Sequence, residues 1–207
     1  MNPQTKTLDE LKHELNRYAN HTADYHDRMV HDIPDTEVIE RQAYILHHCV
    51  DKVVLDIGCF GFLHDEIKKV AKIAYGIDHK VIDGDPLFFQ VELTKMPLPE
   101  LKDVQMVVCG EVLEHLSNPG LFLEELKQKY SCEKVFSVPN AFGSFHTAWT
   151  KKGQENVNED HVCYYSYKTF TTLLSRYGYK VKEFFWYDNP QQVQRQGFNE
   201  GLVFLTT

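Results

Sequence analysis

The chain has 207 residues, of which 43% are hydrophobic, 25% charged and 13% aromatic, and its formal net charge is -8. That length suits one domain with a core of its own, and the acidic balance argues against an extended phosphate-binding surface, which needs clustered Lys and Arg. The cysteines Cys49, Cys59, Cys109, Cys132 and Cys163 form no CxxC pair, which argues against a disulfide framework and for reduced thiols in a cytoplasmic protein.

The opening MNPQTKTLDELKHELNR is polar and carries no secretory pattern. No apolar run approaches the ~18 residues of a membrane span. Leu8, Leu11, Leu15 and Tyr18 recur at helical spacing among charges and predict an amphipathic helix over 8–18. His21, His26 and His31 recur at a spacing that is not helical and read as surface or lid residues. Pro34 breaks the pattern, and a second helix is expected over about 36–48 with Asp35 or Thr36 as its cap. Residues 1–48 thus read as an N-terminal helical segment that packs on or caps a main domain of residues 49–207.

From residue 52 short apolar runs alternate with helical patterns. KVVLDIG is a buried strand, and LHDEIKKVAKI is a helix with Leu63, Ile67, Val70 and Ala71 on one face. IAYGID is the second strand, PLFFQVEL the third and VQMVVCG the fourth. PGLFLEELKQKY is a helix started by Pro119, and CEKVFSVP is a fifth strand. Residues 139–165 show no clear period and read as an irregular insert. A helix in YKTFTTLLSRYGY then ends at Gly178, and KVKEFFWYD and GLVFLTT form closing strands around the polar segment 188–200. Nearly continuous apolar strands alternating with helices indicate a doubly wound, mostly parallel α/β sheet.

In such a sheet ligands bind beyond the carboxyl ends of the strands. Asp56 and Gly58 close the first strand in VLDIGCFGF, where a glycine lets a ligand approach the backbone. Asp78 ends the second strand 22 residues later, a spacing that lets a carboxylate take the two hydroxyls of a ribose. Phe60 and Phe62 stand where a dinucleotide loop keeps small residues, and would crowd a diphosphate. A cofactor without phosphate tolerates that bulk, and S-adenosylmethionine is one.

The ordered run VLDIGCFGF, YGID, FFQVELTKMPLP, VVCGEVLEHLSNPGLFLEEL and VFSVPN resembles the class I S-adenosylmethionine-dependent methyltransferases over about residues 50–140. DHVCYYSYKTFTTLLSRYGY resembles a block of their small members. The resemblance implies a Rossmann-like, seven-stranded sheet whose last strand, GLVFLTT, is antiparallel. It also implies cofactor roles: Asp56, Gly58, Cys59 and Gly61 around the methionine moiety, and Asp78 with His79 at the ribose. Glu92, ending the third strand, would meet the adenine amino group and Leu93 would flank the ring. Gly110 and Glu111 would meet the cofactor at the end of the fourth strand.

GEVLEH spaces Glu111, Glu114 and His115 so that one helical turn places all three on one face. Two carboxylates and an imidazole could hold a divalent cation, Mg²⁺ or Mn²⁺ by preference or Zn²⁺. Such a cation would lower the pKa of a substrate hydroxyl. His161, in EDHVCYYS, lies in the insert expected over the same strand ends. The arrangement is similar to that of metal-dependent ubiquinone-pathway O-methyltransferases and of small-RNA 3′-end 2′-O-methyltransferases. Two other readings stay open: His115 packs or caps while Glu114 is solvated, or His115 or His161 is a metal-free general base.

Phe142, Phe145, Trp149, Tyr164, Tyr165 and Tyr167 read partly as core and partly as the wall of an acceptor pocket. Cys59 and Cys109 flank the expected cofactor, and apolar packing accounts for them. The expected function is methyl transfer from S-adenosylmethionine to a hydroxyl of a small molecule or sugar, with nucleic acid and membrane disfavoured as partners. One alternative is metal-dependent methylation of an RNA 3′-end 2′-hydroxyl, which calls for a basic groove near residues 142–153, where Lys151 and Lys152 form the cluster. The other is a non-catalytic methyltransferase-fold binding protein, with Phe60 and Phe62 as its support.

Overall fold

The computed structural model describes residues 7, 9, 30–81, 84–188 and 199–207, so the expected helix over 8–18 and the histidines His21 and His26 lie outside the described residues. Two compact units divide the chain, Met1–Pro34 and Asp35–Thr207. In the first, the described stretch 30–34 is irregular and exposed, His31 included.

The second unit begins with β1 (Val38–Ile39), α1 (Arg41–Cys49), β2 (Val53–Ile57), α2 (Phe62–Val70), β3 (Ile73–Asp78) and β4 (Phe88–Gln90). It continues with β5 (Met106–Gly110), a single 3-10 turn (Leu113–His115), α3 (Pro119–Lys129), β6 (Glu133–Pro139) and α4 (Ser144–Thr150). It closes with α5 (Tyr167–Arg176), β7 (Val181–Tyr187) and β8 (Gly201–Thr206). The strands form one sheet in the order β1-β7-β8-β6-β5-β2-β3-β4. β8 alone runs antiparallel to both of its neighbours, as expected for GLVFLTT.

The sheet has eight strands rather than seven. The added one, β1, pairs in parallel with β7, Val38 opposite Trp186 and Ile39 opposite Tyr187. It takes the residues expected to open a helix at 36. Val38 and Ile39 are β-branched and favour extended backbone, and Thr36 Oγ1 donates to the Phe184 carbonyl at 2.9 Å. The helix starts at Arg41 instead, capped by the Glu40 side chain, which accepts from the amides of Gln42 and Ala43.

All five residues of β2 are buried, because helices cover both faces of the sheet. On one face Leu55, Ile57, Val107, Phe136 and Phe204 pack with Phe170 and Leu174 of α5 and Leu123 of α3. On the other, Val54, Val108, Val135 and Val203 pack with Ile45 of α1 and Ile67 of α2. Burying each such side chain stabilises by roughly 1.5–3 kcal/mol. Side-chain caps fix where the helices begin: Asn118 caps α3 ahead of Pro119, and Ser166 with Thr169 forms a capping box on α5.

Two further differences from expectation have local causes. β4 is only three residues long: its ladder ends with the Val91 amide donating to the Asp78 carbonyl, and the chain then turns, with the Lys95 and Met96 amides donating to the Glu92 carbonyl. Glu92 therefore follows the strand instead of ending it. The insert 139–165 contains α4, none of whose residues is buried, so it left no apolar period to read. All five cysteines are free thiols. No helix among the described residues is long and apolar enough to cross a membrane.

Candidate active site

The carboxyl ends of β2, β3, β4 and β5, neighbours in the sheet, gather most of the residues expected at a cofactor. Gly58 has φ +77°, and a Cβ there would lie 2.5 Å from Val112 Cγ2. The amides of Gly58 and Cys59 both donate to the Ile77 carbonyl, at 2.8 and 3.1 Å, which stitches the turn to β3. Gly61, at φ +144°, leads into α2 with open space where a Cβ would stand. Asp78 closes β3: its Oδ2 accepts from the Phe60 amide at 3.1 Å, and its Oδ1 accepts from the Lys80 amide at 2.9 Å. His79, well exposed, brings Nδ1 to 3.1 Å from Asp78 Oδ1.

The two phenylalanines face outward, with Phe60 58% and Phe62 64% exposed, and the Lys80 ammonium sits 4.5 Å from the Phe60 ring centre. Cys59 turns inward instead, and burial pushes its thiol up to about 12, so it remains an unreactive packing group. Asp56 is buried beneath the turn, its Oδ2 2.9 Å from His64 Nδ1. Glu92 accepts from the Thr94 hydroxyl at 3.0 Å, a bond that holds its carboxyl below the ordinary value. Leu93 packs on the main core. At Gly110 a Cβ would meet Ser137 Oγ at 3.2 Å and Arg41 Nη1 at 3.7 Å.

A cavity of about 750 Å³ opens past the carboxyl ends of β5, β6 and β7, lined by Arg41, Glu111, His146, His161, Tyr187 and Glu200 among others. Glu111 adopts φ +57°, a left-handed conformation that costs a side-chain-bearing residue about 1–2 kcal/mol. Its amide donates to the Ser137 carbonyl at 2.9 Å, and its carboxylate accepts from the Tyr187 hydroxyl and lies 3.5 Å from Arg41 Nη1. That guanidinium also donates to Ser137 Oγ at 3.2 Å and rests 5.2 Å from the Tyr187 ring centre. Burial, and next the Glu111 charge, hold the Tyr187 hydroxyl well above its ordinary value, so it stays a donor. The ring lies so close to Gly201 that a Cβ there would overlap it.

Glu114, His115 and His161 form a second centre, each offering one ligand atom, all within 4.8 Å of one another. Backbone pairing brings them together: the amides of Val162 and Cys163 donate to the Glu114 carbonyl at 2.8 and 3.1 Å. The two imidazole rings meet edge to face at 4.6 Å. The Glu114 side chain is buried, and neither carboxylate oxygen has a hydrogen-bond partner among the described residues. Burial, and next the Glu111 charge, push its carboxyl up to about 8. Burial, followed by the nearby His115 and His146, lowers His161 and keeps it neutral.

Glu111 stands apart from this trio, engaged with Tyr187 and Arg41. The single turn expected to align all three GEVLEH side chains spans only Leu113–His115 and is of the tighter 3-10 kind, with Glu111 left-handed ahead of it. Arg41 and Tyr187 were not expected at the site; they reach it from α1 and β7, far away in the chain. A glycine at the start of a strand, Gly201, was the one local trace of the close approach by Tyr187.

A family model described as a methyltransferase domain matches residues 29–183, about three quarters of the chain. The chain belongs to this methyltransferase family. None of the curated proteins matches it by sequence. Among solved structures, the small RNA methyltransferase HEN1 aligns with a TM-score of 0.62 at 18% identity, covering 86% of this methyltransferase and 26% of that chain. This chain thus spans about a quarter of that relative's length. An S-adenosylmethionine-dependent methyltransferase from Mesorhizobium loti aligns at 0.57 and 16% identity, covering 80% of this chain and 95% of the other. The N-methyltransferase NodS from Bradyrhizobium japonicum, in complex with S-adenosyl-L-homocysteine, aligns at 0.54 and 13%, covering 80% and 84%. At these identities the likeness is one of fold, and S-adenosylmethionine is the cofactor of that fold. By the family match this chain is a methyltransferase, and its fold is that of the S-adenosylmethionine-dependent methyltransferases among those solved structures.

Proposed function

We propose that this methyltransferase moves a methyl group from S-adenosylmethionine to a hydroxyl of a small molecule or sugar seated in the 750 Å³ cavity, with a divalent cation held by Glu114, His115 and His161. The observation that carries the reading is the buried Glu114 carboxylate, unpartnered beside two imidazoles. One carboxylate oxygen and two imidazole nitrogens suit Zn²⁺ or Mn²⁺ better than Mg²⁺, which favours an all-oxygen shell. When bound, the cofactor supplies a sulfonium methyl open to in-line displacement, and the cation supplies charge that eases loss of the hydroxyl proton.

The chain's own residues bind and orient. Gly58 and Gly61 with Asp56 and Cys59 shape the turn for the methionine moiety. Asp78, with His79 beside it, takes the ribose hydroxyls, while Glu92 and Leu93 take the adenine amino group and ring. Gly110 ends β5 where that strand meets the cofactor, and Arg41, whose Nη1 would lie 3.7 Å from a Cβ on Gly110, offers a cation to the methionine carboxylate. Glu111 is fixed by Tyr187 and presents its carboxylate to the cavity rather than to the cation. A general-base role for His161 is the competing chemistry: the residue is neutral, lines the cavity and could take the hydroxyl proton without a metal.

A small acceptor is favoured because, among the described residues, the cavity wall carries Glu40, Glu111, Asp188 and Glu200 against one guanidinium, that of Arg41, a poor setting for a phosphate chain. The RNA reading draws on the likeness to HEN1 and on exposed Lys151 and Lys152 beyond α4. Radiolabelled methyl transfer to a panel of polyols, phenols, sugars and a short RNA, each with Mg²⁺, Mn²⁺, Zn²⁺ or EDTA, tests these readings. Transfer to a hydroxylated small molecule that EDTA and Glu114→Ala both abolish is the expected result. Transfer to the RNA alone overturns the small-acceptor reading, and transfer indifferent to EDTA overturns the cation.

A further inference from the structure

The geometry points to His64 as a positioning residue of the cofactor site, one that fixes the Asp56 carboxylate and supports the 58–61 turn from beneath, so that cofactor affinity depends on it. The inference rests on reading that turn as the S-adenosylmethionine site.

His64 lies in the first turn of α2, directly after the glycine turn. Its side chain is 3% exposed and that of Asp56 4%, and Nδ1 and Oδ2 are 2.9 Å apart. Asp56 sits mid-sheet, opposite Gly76 on β3 and Val108 on β5, away from bulk solvent. A carboxylate in that position needs a partner, and His64 is the one the described residues supply.

The far side of the ring is accommodated as specifically. A Cβ on Gly76 would lie 3.0 Å from His64 Cε1 and Nε2 and 2.8 Å from Cys59 Sγ. β3 therefore leaves a notch at Gly76 that the imidazole and the thiol fill together. With Phe60 and Phe62 turned outward, Cys59 is the only buried residue of 58–62, so the turn rests on Cys59 and, through Asp56, on His64. An apolar residue such as Leu would fill the same volume on α2 beside Leu63 and Ile67, yet would leave Asp56 without its donor. The use of histidine there is explained by the carboxylate rather than by packing.

The test is calorimetric titration of the full chain and its variants with S-adenosylhomocysteine, which needs no knowledge of the acceptor. His64→Asn keeps an N–H donor at the place of Nδ1, whereas His64→Gln moves the donor outward and His64→Leu removes it. A hydrogen bond to a charged group is worth enough to change affinity about tenfold or more. The expected result is a Kd for His64→Asn within about threefold of the wild type, with His64→Gln and His64→Leu weaker by about tenfold or more in protein that circular dichroism shows to be folded. Equal weakening by Asn and Gln overturns the inference, as does wild-type affinity in the Gln variant. Failure of the wild-type chain to bind overturns the cofactor reading itself, a result distinct from either.

Discussion

Glu114→Gln is expected to flatten the dependence of stability on pH. In the wild type the carboxyl is 1% exposed, neither oxygen has a partner among the described residues, and its pKa is raised from 4.5 to about 8. The folded chain therefore keeps a proton that the unfolded chain releases. Because the folded value is the higher one, the full stability is present below about pH 4.5 and is lost as pH rises through 8. At about 1.4 kcal/mol per pH unit the loss reaches roughly 5 kcal/mol, a large share of the 5–15 kcal/mol that ordinarily holds a domain folded. Glutamine matches the shape and never ionises, so its cost is the same at every pH. Urea unfolding of both proteins in EDTA at pH 5 and pH 8.5 reads the effect directly. The wild type should lose several kcal/mol more than Glu114→Gln between the two, and a divalent cation should restore the loss at pH 8.5. Parallel behaviour of the two proteins would show that Glu114 is not the buried, unpartnered acid described here.

Gly58→Ala places a side chain at φ +77° and 2.5 Å from Val112 Cγ2; it should cost about 1–3 kcal/mol by thermal or urea unfolding and weaken S-adenosylhomocysteine binding in calorimetry. Gly201→Ala puts a Cβ into the Tyr187 ring, so it should destabilise by a similar amount and release Glu111 from Tyr187, readable as a fall of the Tyr187 hydroxyl pKa in ultraviolet titration. A Tyr187 titration unchanged in that variant would contradict the contact.

The strands from residue 53 to 139 were legible because a strand covered on both faces is mostly apolar, as in the VVL of β2, the MVVC of β5 and the VF of β6. β1 was hidden because two residues carry no period, and its pairing partner Trp186 lies far along the chain. α4 was hidden because it buries nothing. At the site, Glu114 and His115 could be grouped from their spacing in GEVLEH and His161 from its place in the insert, and the pairing of Val162 and Cys163 with the Glu114 carbonyl brings the three together. The departure of Glu111 could not: nothing local marks a glutamate for the left-handed region, and it is Tyr187 and Arg41, brought by the fold, that hold it there.

The proposed function requires S-adenosylmethionine to bind at the turn 58–61 with Asp78. Calorimetric titration of the wild-type chain and of Asp78→Ala with S-adenosylmethionine tests this most directly. Saturable binding at one site per chain, weakened about tenfold or more in the variant, is the predicted result. Wild-type binding that Asp78→Ala leaves unchanged, or no binding by the wild type at millimolar cofactor, would contradict it.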